Sequence, residues 1–93
     1  MSFDWDEQKA KANLGKHGVA FEEERSVFDN PLALIFDDER HSREEHREII
    51  IGHSLKNRIV LVSFVERAGA VRIISARCAT AKESHDYEEG GGF

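Results

Sequence analysis

The sequence predicts an α+β domain with two N-terminal helices, a four-stranded antiparallel sheet and a C-terminal helix. Three observations carry the prediction. The first third holds helix-spaced polar sequence with cap residues at its ends. Residues 47–77 hold β-branched runs separated by short polar connections. The whole is 93 residues, 40% apolar and 33% charged, which supports one modest core in one domain.

Each element has a local reason. Asp4-Trp5-Asp6-Glu7 reads as a helix entry, with Asp4 as N-cap and Glu7 three residues on. That helix runs to about His17, where Gly18 supplies the residue beyond the end. Phe3, Trp5, Ala10 and Leu14 are expected to form its buried side. Lys9, Asn13, Lys16 and His17 lie on its neighbouring turns. A shorter helix over 22–28 is ended by Asp29-Asn30-Pro31. Strands follow at 32–36, 47–53, 58–67 and 71–77, the last three joined as hairpins through 54–57 and 68–70. Thr80 caps a final helix with Glu83 at its third position, ending near Glu89. The loop lengths place His53 opposite Arg58 and Arg67 opposite Val71. Arg47, Glu66 and Arg72 then share one face, with Arg67 and Arg77 on the other. A one-residue slip would exchange the faces. Both faces are apolar at their centres, so helices or a partner chain must cover them.

Composition excludes several classes. No apolar run is long enough to span a bilayer. The acidic, polar start MSFDWDEQK is expected to be neither a signal peptide nor a transit peptide. Cys78 is the single cysteine, so an internal disulfide and a cysteine zinc cluster are both excluded, and a cytoplasmic setting is expected. The net charge of −5 argues against a general nucleic-acid binder. It is unevenly spread: residues 1–48 carry −6, residues 49–82 carry +5 and residues 83–93 carry −4. The basic middle can face a phosphate ligand although the whole chain is acidic. Solvated ion pairs between segments explain the same pattern equally well.

The candidate chemistry is a cluster of charges. Arg47, Arg72 and Glu66 on one face suit a phosphate clamp with a carboxylate base, because guanidinium binds two phosphate oxygens and stays charged. A cross-strand ion pair between Glu66 and Arg72 is the competing structural reading. His41, among arginines, is a candidate proton donor or acceptor. The five histidines lack metal-ligand spacing, and no metal or cofactor is expected. No Gly-rich phosphate loop or Ser nucleophile elbow is present, and Cys78 reads as a small buried group.

The blocks Phe3-x-Trp5-Asp6-x-x-Lys9-Ala10-x-x-Asn13-x-x-Lys16-His17-Gly18-Val19-x-Phe21-Glu22 and Arg72-Ile73-Ile74-Ser75-Ala76-Arg77 frame the chain. Between them stand Val27-Phe28-Asp29-x-Pro31, Asp38-x-x-His41-Ser42-x-x-Glu45-x-Arg47 and Ile51-Gly52-x-Ser54, and Tyr87-Glu88 closes the series. Over about residues 3–89 this resembles the BrnT family of bacterial toxins. It departs where Lys56-Asn57-Arg58 replaces the family's Gly before Arg58. The resemblance implies a RelE-like fold and an RNA-cleaving toxin of a type II toxin–antitoxin pair that blocks translation. It implies a BrnA-like antitoxin in a hetero-oligomer, with DNA contacted only through the antitoxin. It also implies RNA as substrate, either free or on the ribosome. It supports His41, Arg47, Arg72 and Arg77 as motif positions.

Metal-free RNA cleavage uses the substrate's own 2′-OH. It needs a base, an acid and cations for the charge on phosphorus. Arg47, Arg72 and Arg77 suit the cations, Glu66 or His41 the proton transfers, and Lys56, Arg58 and Arg67 the RNA backbone. A catalytically silent partner-binding module that regulates its own operon is the alternative. An enzyme acting on another phosphodiester or nucleotide is a third reading. Residues 1–89 are expected to form the domain and 90–93 a flexible tail.

Overall fold

The computed structural model describes residues 2–41 and 45–90, with only the backbone at His41. Asp6, not Asp4, opens the first helix, α1 (Glu7–His17), its carboxylate accepting the N–H groups of Gln8 and Lys9 at 2.9 and 3.0 Å. Gly18 closes it at φ 70°, donating to the Leu14 carbonyl at 2.9 Å. Asp4 belongs instead to a three-residue strand, β1 (Ser2–Asp4). Helix α2 (Phe21–Ser26) runs into a 3₁₀ turn at Val27–Asp29, and together they fill the expected second helix. Then come β2 (Leu34–Asp37), β3 (Arg47–His53), β4 (Ile59–Arg67), β5 (Ala70–Cys78) and α3 (Ala81–Glu88). The expected capping box opens α3: Thr80 Oγ1 accepts the Glu83 N–H at 3.1 Å, and a Glu83 oxygen accepts the Thr80 N–H at 2.9 Å. No described helix is long and apolar enough to cross a membrane.

The sheet order is β1-β5-β4-β3-β2. The α+β class holds, but the sheet has five strands and is mixed, which corrects the four-stranded antiparallel expectation. β1 runs parallel to β5, with Phe3 beside Val71. Three residues are too few to show a period, so only tertiary contacts define β1. Phe3 packs edge-on against Phe28 with ring centres 5.1 Å apart, and Asp4 accepts from Arg72 at 2.8 Å.

Both hairpin registers also differ by one residue from expectation, for a reason in the turns. The β3–β4 loop is a three-residue turn closed by the Ser54 N–H on the Arg58 carbonyl at 2.8 Å, so His53 faces Ile59. Asn57 sits in it at φ 62°, the left-handed position where the family's glycine would stand. The β4–β5 loop is two residues, Ala68 and Gly69, at φ 49° and 81°. Two successive positive φ values make a type I′ turn, which places Arg67 opposite Ala70. A β-bulge follows: Phe64 pairs with Ile73 but Ser63 with Ser75, leaving Ile74 as the extra residue.

Helices cover both faces. Val27 of the 3₁₀ turn and Val19 of the α1–α2 loop pack on Ile50, Val60, Val62, Phe64, Val71 and Ile73. On the other face Tyr87 of α3 packs on Ile51 and Leu61, and its hydroxyl donates to the Leu32 carbonyl at 2.6 Å. The expected apolar side of α1 does not form: Trp5 is 39% and Leu14 49% exposed. The buried α1 residue is Asn13, because α1 lies along β5 beyond the short β1 and must satisfy an open strand edge. Its Oδ1 accepts the Ala76 N–H at 3.0 Å in place of a sixth strand.

Candidate functional site

Two register slips and one bulge decide which charges meet. Arg47 lies opposite Val65, and Val65 opposite Arg72, so the slips cancel for these two arginines. The bulge then turns Arg77 to the same side, where it faces Leu61. Arg67, two residues beyond Val65, also emerges there. The structure therefore puts Arg47, Arg67, Arg72 and Arg77 on one sheet face. Glu66 pairs with Val71, a core residue of the opposite face, and emerges away from all four. This corrects the register that set Glu66 beside Arg72.

On the arginine face, β4 and β5 form the floor of a cavity of about 110 Å³ lined by His17, Ile49, Leu61, Ser63, Ser75 and Arg77. A wider depression of about 230 Å³ continues over α1 past Lys9, Lys16 and His17 to Ser75. His17 and Ser75 border both, so the two form one groove across the β5 edge. The sequence placed Lys9, Lys16 and His17 together on α1 but did not show that α1 lies against β5. His17, Ser63 and Ser75 are thus site residues that loop-length reasoning missed. The signal was present in the Lys16-His17-Gly18 block, whose glycine ends α1 and leaves His17 on its last turn at the groove.

Three of the arginines are held by carboxylates. Arg77 makes a bidentate pair with Glu83 of α3 at 2.7 and 2.8 Å, and also donates to the Cys78 carbonyl at 3.3 Å. The pair pushes the Arg77 guanidinium further up and holds the Glu83 carboxyl at about 2. Arg77 is thereby fixed in orientation, with its Nε–H and one Nη2 hydrogen left over among the described contacts. Arg72 donates to Asp4 at 2.8 Å, and Arg67 pairs with Glu45. The Asp4 and Glu45 pairs are solvent-exposed and worth at most about 1 kcal/mol each, so an incoming phosphate competes with them readily.

Arg58 and Lys56 lie at the opposite end of the sheet from Arg47, Arg67 and Arg72. Lys56 is exposed in the β3–β4 turn. Arg58 is committed to Glu23, a buried carboxylate of α2, through its Nε at 2.9 Å and through Nη2, which also donates to the Gly18 carbonyl at 3.0 Å. Ser54 completes the set, its hydroxyl donating to Glu23 at 2.6 Å. The Arg58 hydrogen bonds, aided by Ser54, hold the Glu23 carboxyl below its usual value. This network ties α2 to the hairpin and engages the Arg58 guanidinium. The side chain of His41 lies outside the described residues.

Next to Glu23, Glu24 is buried, and among the described residues it has no cation and accepts one side-chain hydrogen bond, from the Asn13 amide at 3.2 Å. Burial, with the charges of Glu22 and Glu23, raises its carboxyl to about 7. Among the described residues one metal-ligand constellation exists that spacing did not reveal. The donor atoms of Asp37, His46 and Glu48 lie within 4.8 Å of one another, on the β2–β3 pair and away from the groove.

Comparison with known proteins converges on one family. Residues 5–83 match the family described as the ribonuclease toxin BrnT of type II toxin–antitoxin systems. The crystal structure of the Brucella abortus ribonuclease toxin BrnT is similar in fold, with a TM-score of 0.62. It is 29% identical in sequence, and the match covers 86% of this chain and 97% of that one. No curated protein sequence matches. With the family match spanning most of its length, the chain belongs to the BrnT ribonuclease toxins of type II toxin–antitoxin systems.

Proposed function

We propose that this toxin is a metal-independent endoribonuclease that cuts RNA in the groove between α1 and the arginine face, halts translation, and is neutralised by a BrnA-like antitoxin. The observation that carries the reading is the meeting of His17 and Arg77 in one cavity, on a face that also bears Arg47, Arg67 and Arg72. RNA supplies the 2′-hydroxyl nucleophile. A base removes its proton, the oxygen attacks phosphorus, and the 5′-oxygen leaves with a proton, giving a 2′,3′-cyclic phosphate end. Arg77, oriented by Glu83, and Arg72 neutralise the charge that builds on the phosphoryl oxygens. Arg47 and Arg67 extend the positive face along the RNA backbone, with Lys9 and Lys16 on the α1 side.

Imidazole both accepts and donates protons near neutral pH, which makes His17 the proton-transfer group the groove supports. His41 remains a proposed partner for the second transfer. Glu66 emerges from the wrong face to act in this groove, and Arg58 is already held by Glu23, so neither has a role here.

Inducing the protein alone, with its antitoxin, and as Arg72→Ala tests the reading. Growth arrest with RNA cleavage, relieved by the antitoxin and by the substitution, is the expected result. A folded, abundant protein that neither arrests growth nor cuts RNA would overturn it. That outcome would favour the silent partner-binding module, a reading consistent with the carboxylates that already hold Arg67, Arg72 and Arg77.

A further inference from the structure

We propose that the outer edge of β2, with the groove beside Tyr87, is the docking surface for the antitoxin, which adds to the sheet as an extended sixth strand. The proposal rests on the toxin–antitoxin reading above and adds to it the place and the mode of binding.

Strand β2 ends the sheet, with no further strand beyond it among the described residues. The Asp38 N–H bonds the Arg47 carbonyl at 2.9 Å, which fixes the alternation of the β2–β3 ladder. By that alternation Ile35 and Asp37 turn their N–H and C=O groups outward, away from β3. These are the groups an incoming strand requires.

Exposed apolar surface concentrates at the same place. Of the six exposed large hydrophobic residues among those described, three lie here: Leu32 at 72%, Leu34 at 41% and Ile35 at 56%. Soluble chains normally blunt such an edge with charge. This one keeps only Asp37, at its far end, already bonded to His46 at 2.9 Å. Leu32 and Leu34 line a cavity of about 460 Å³ with His53, Tyr87, Glu88 and Gly90. Ile35 projects from the other face of the strand. An added strand therefore finds apolar contact on both sides, and one of its side chains enters the groove beside Tyr87.

Charge selects the occupant. The groove is bordered by Glu88, with Glu89 next to it in sequence, while the other two acids of this C-terminal stretch, Glu83 and Asp86, are paired with Arg77 and Lys82. A second copy of this chain would bring the same acids and a net charge of −5 to the contact. A segment alternating apolar and basic residues matches the edge, and type II systems supply a dedicated partner to carry it. The edge lies three strand spacings from β5, roughly 14 Å. A docked antitoxin thus needs only a few further residues to reach the groove.

The test is titration of the purified toxin with its cognate antitoxin, read beside RNA cleavage by the toxin alone. Ile35→Lys should weaken antitoxin binding at least 30-fold while free-toxin cleavage stays within twofold. Ile35→Pro, which deletes an outward N–H and no β2–β3 bond, should weaken it at least tenfold. Leu55→Lys, at an exposed apolar residue of the β3–β4 turn, should change nothing. Both Ile35 variants binding within twofold of wild type, with unchanged far-UV spectra, would overturn the proposal. So would a wild-type dimer that Ile35→Lys dissociates without loss of antitoxin affinity, since the occupant would then be a second copy. A tenfold gain in affinity on deleting residues 91–93 would name the chain's own end instead. Weakened docking with no RNA cleavage by wild-type toxin would leave the surface standing and sink the ribonuclease reading.

Discussion

Glu24 and Glu83 are carboxylates whose environments push them in opposite directions. Glu24 keeps its proton up to about 7 when folded, against 4.5 for the ordinary group. Between those values the folded state holds a proton that the unfolded chain releases, so stability falls as pH rises and levels off above about 7. At about 1.4 kcal/mol per pKa unit the loss is at most about 3 kcal/mol. Glu83, held at about 2, acts the other way: its contribution is complete above 4.5 and is lost as pH falls toward 2. Stability measured by denaturant unfolding should therefore peak near about pH 5. Glu24→Gln should remove the decline toward pH 8, and an unchanged decline would place its cause elsewhere. Arg58→Ala strands the Glu23 carboxylate in the interior and should cost about 3–5 kcal/mol. If Arg58 were instead an RNA contact, the same change would lower cleavage and leave the unfolding midpoint in place. Asn13→Ala leaves the Ala76 N–H without its acceptor and should cost about 1–3 kcal/mol in the same measurement.

Elements were legible where a local signal existed. Gly18, Thr80 and Glu83 are cap residues whose chemistry acts over three or four positions, and they were read in place; the first cap was read at Asp4 and lies two residues on, at Asp6. β3 was located in full from its Ile49-Ile50-Ile51 centre. Register was misread because both turns hold positive-φ residues, a signal carried weakly by Asn57 and not at all by Ala68. Those two turns moved Glu66 to the opposite face, and the bulge at Ile74 brought Arg77 to join Arg72. The candidate site was therefore readable as a set of arginines but not as an arrangement. Asn57→Gly relieves a left-handed residue and should raise stability by about 0.5–1 kcal/mol. A loss instead would mean the Asn57 side chain makes a contact that matters. Gly52→Ala should destabilise, since a Cβ there would stand 2.8 Å from the Cβ of Ala33, in the segment that leads into β2. Purified protein with an unchanged melting temperature would refute that packing.

At the scale of the molecule, three edges and faces divide the work. The β5 edge is closed by Asn13 and opens the groove beside His17, the apolar β2 edge carries no further strand among the described residues, and the far hairpin end is tied down by Glu23 and Arg58. The acidic net charge is compatible with an RNA substrate because the bases are concentrated on one sheet face and its α1 border. The family reading came from blocks spread over the whole chain, which no single local motif would have supported. The most direct measurement is RNA cleavage by purified toxin in excess EDTA, with the product ends identified, for wild type, His17→Ala and Glu66→Ala. The groove predicts 2′,3′-cyclic phosphate ends, a loss of about 100-fold or more with His17→Ala, and unchanged cleavage with Glu66→Ala. Cleavage that survives His17→Ala but fails with Glu66→Ala would move the chemistry to the opposite face and contradict the account.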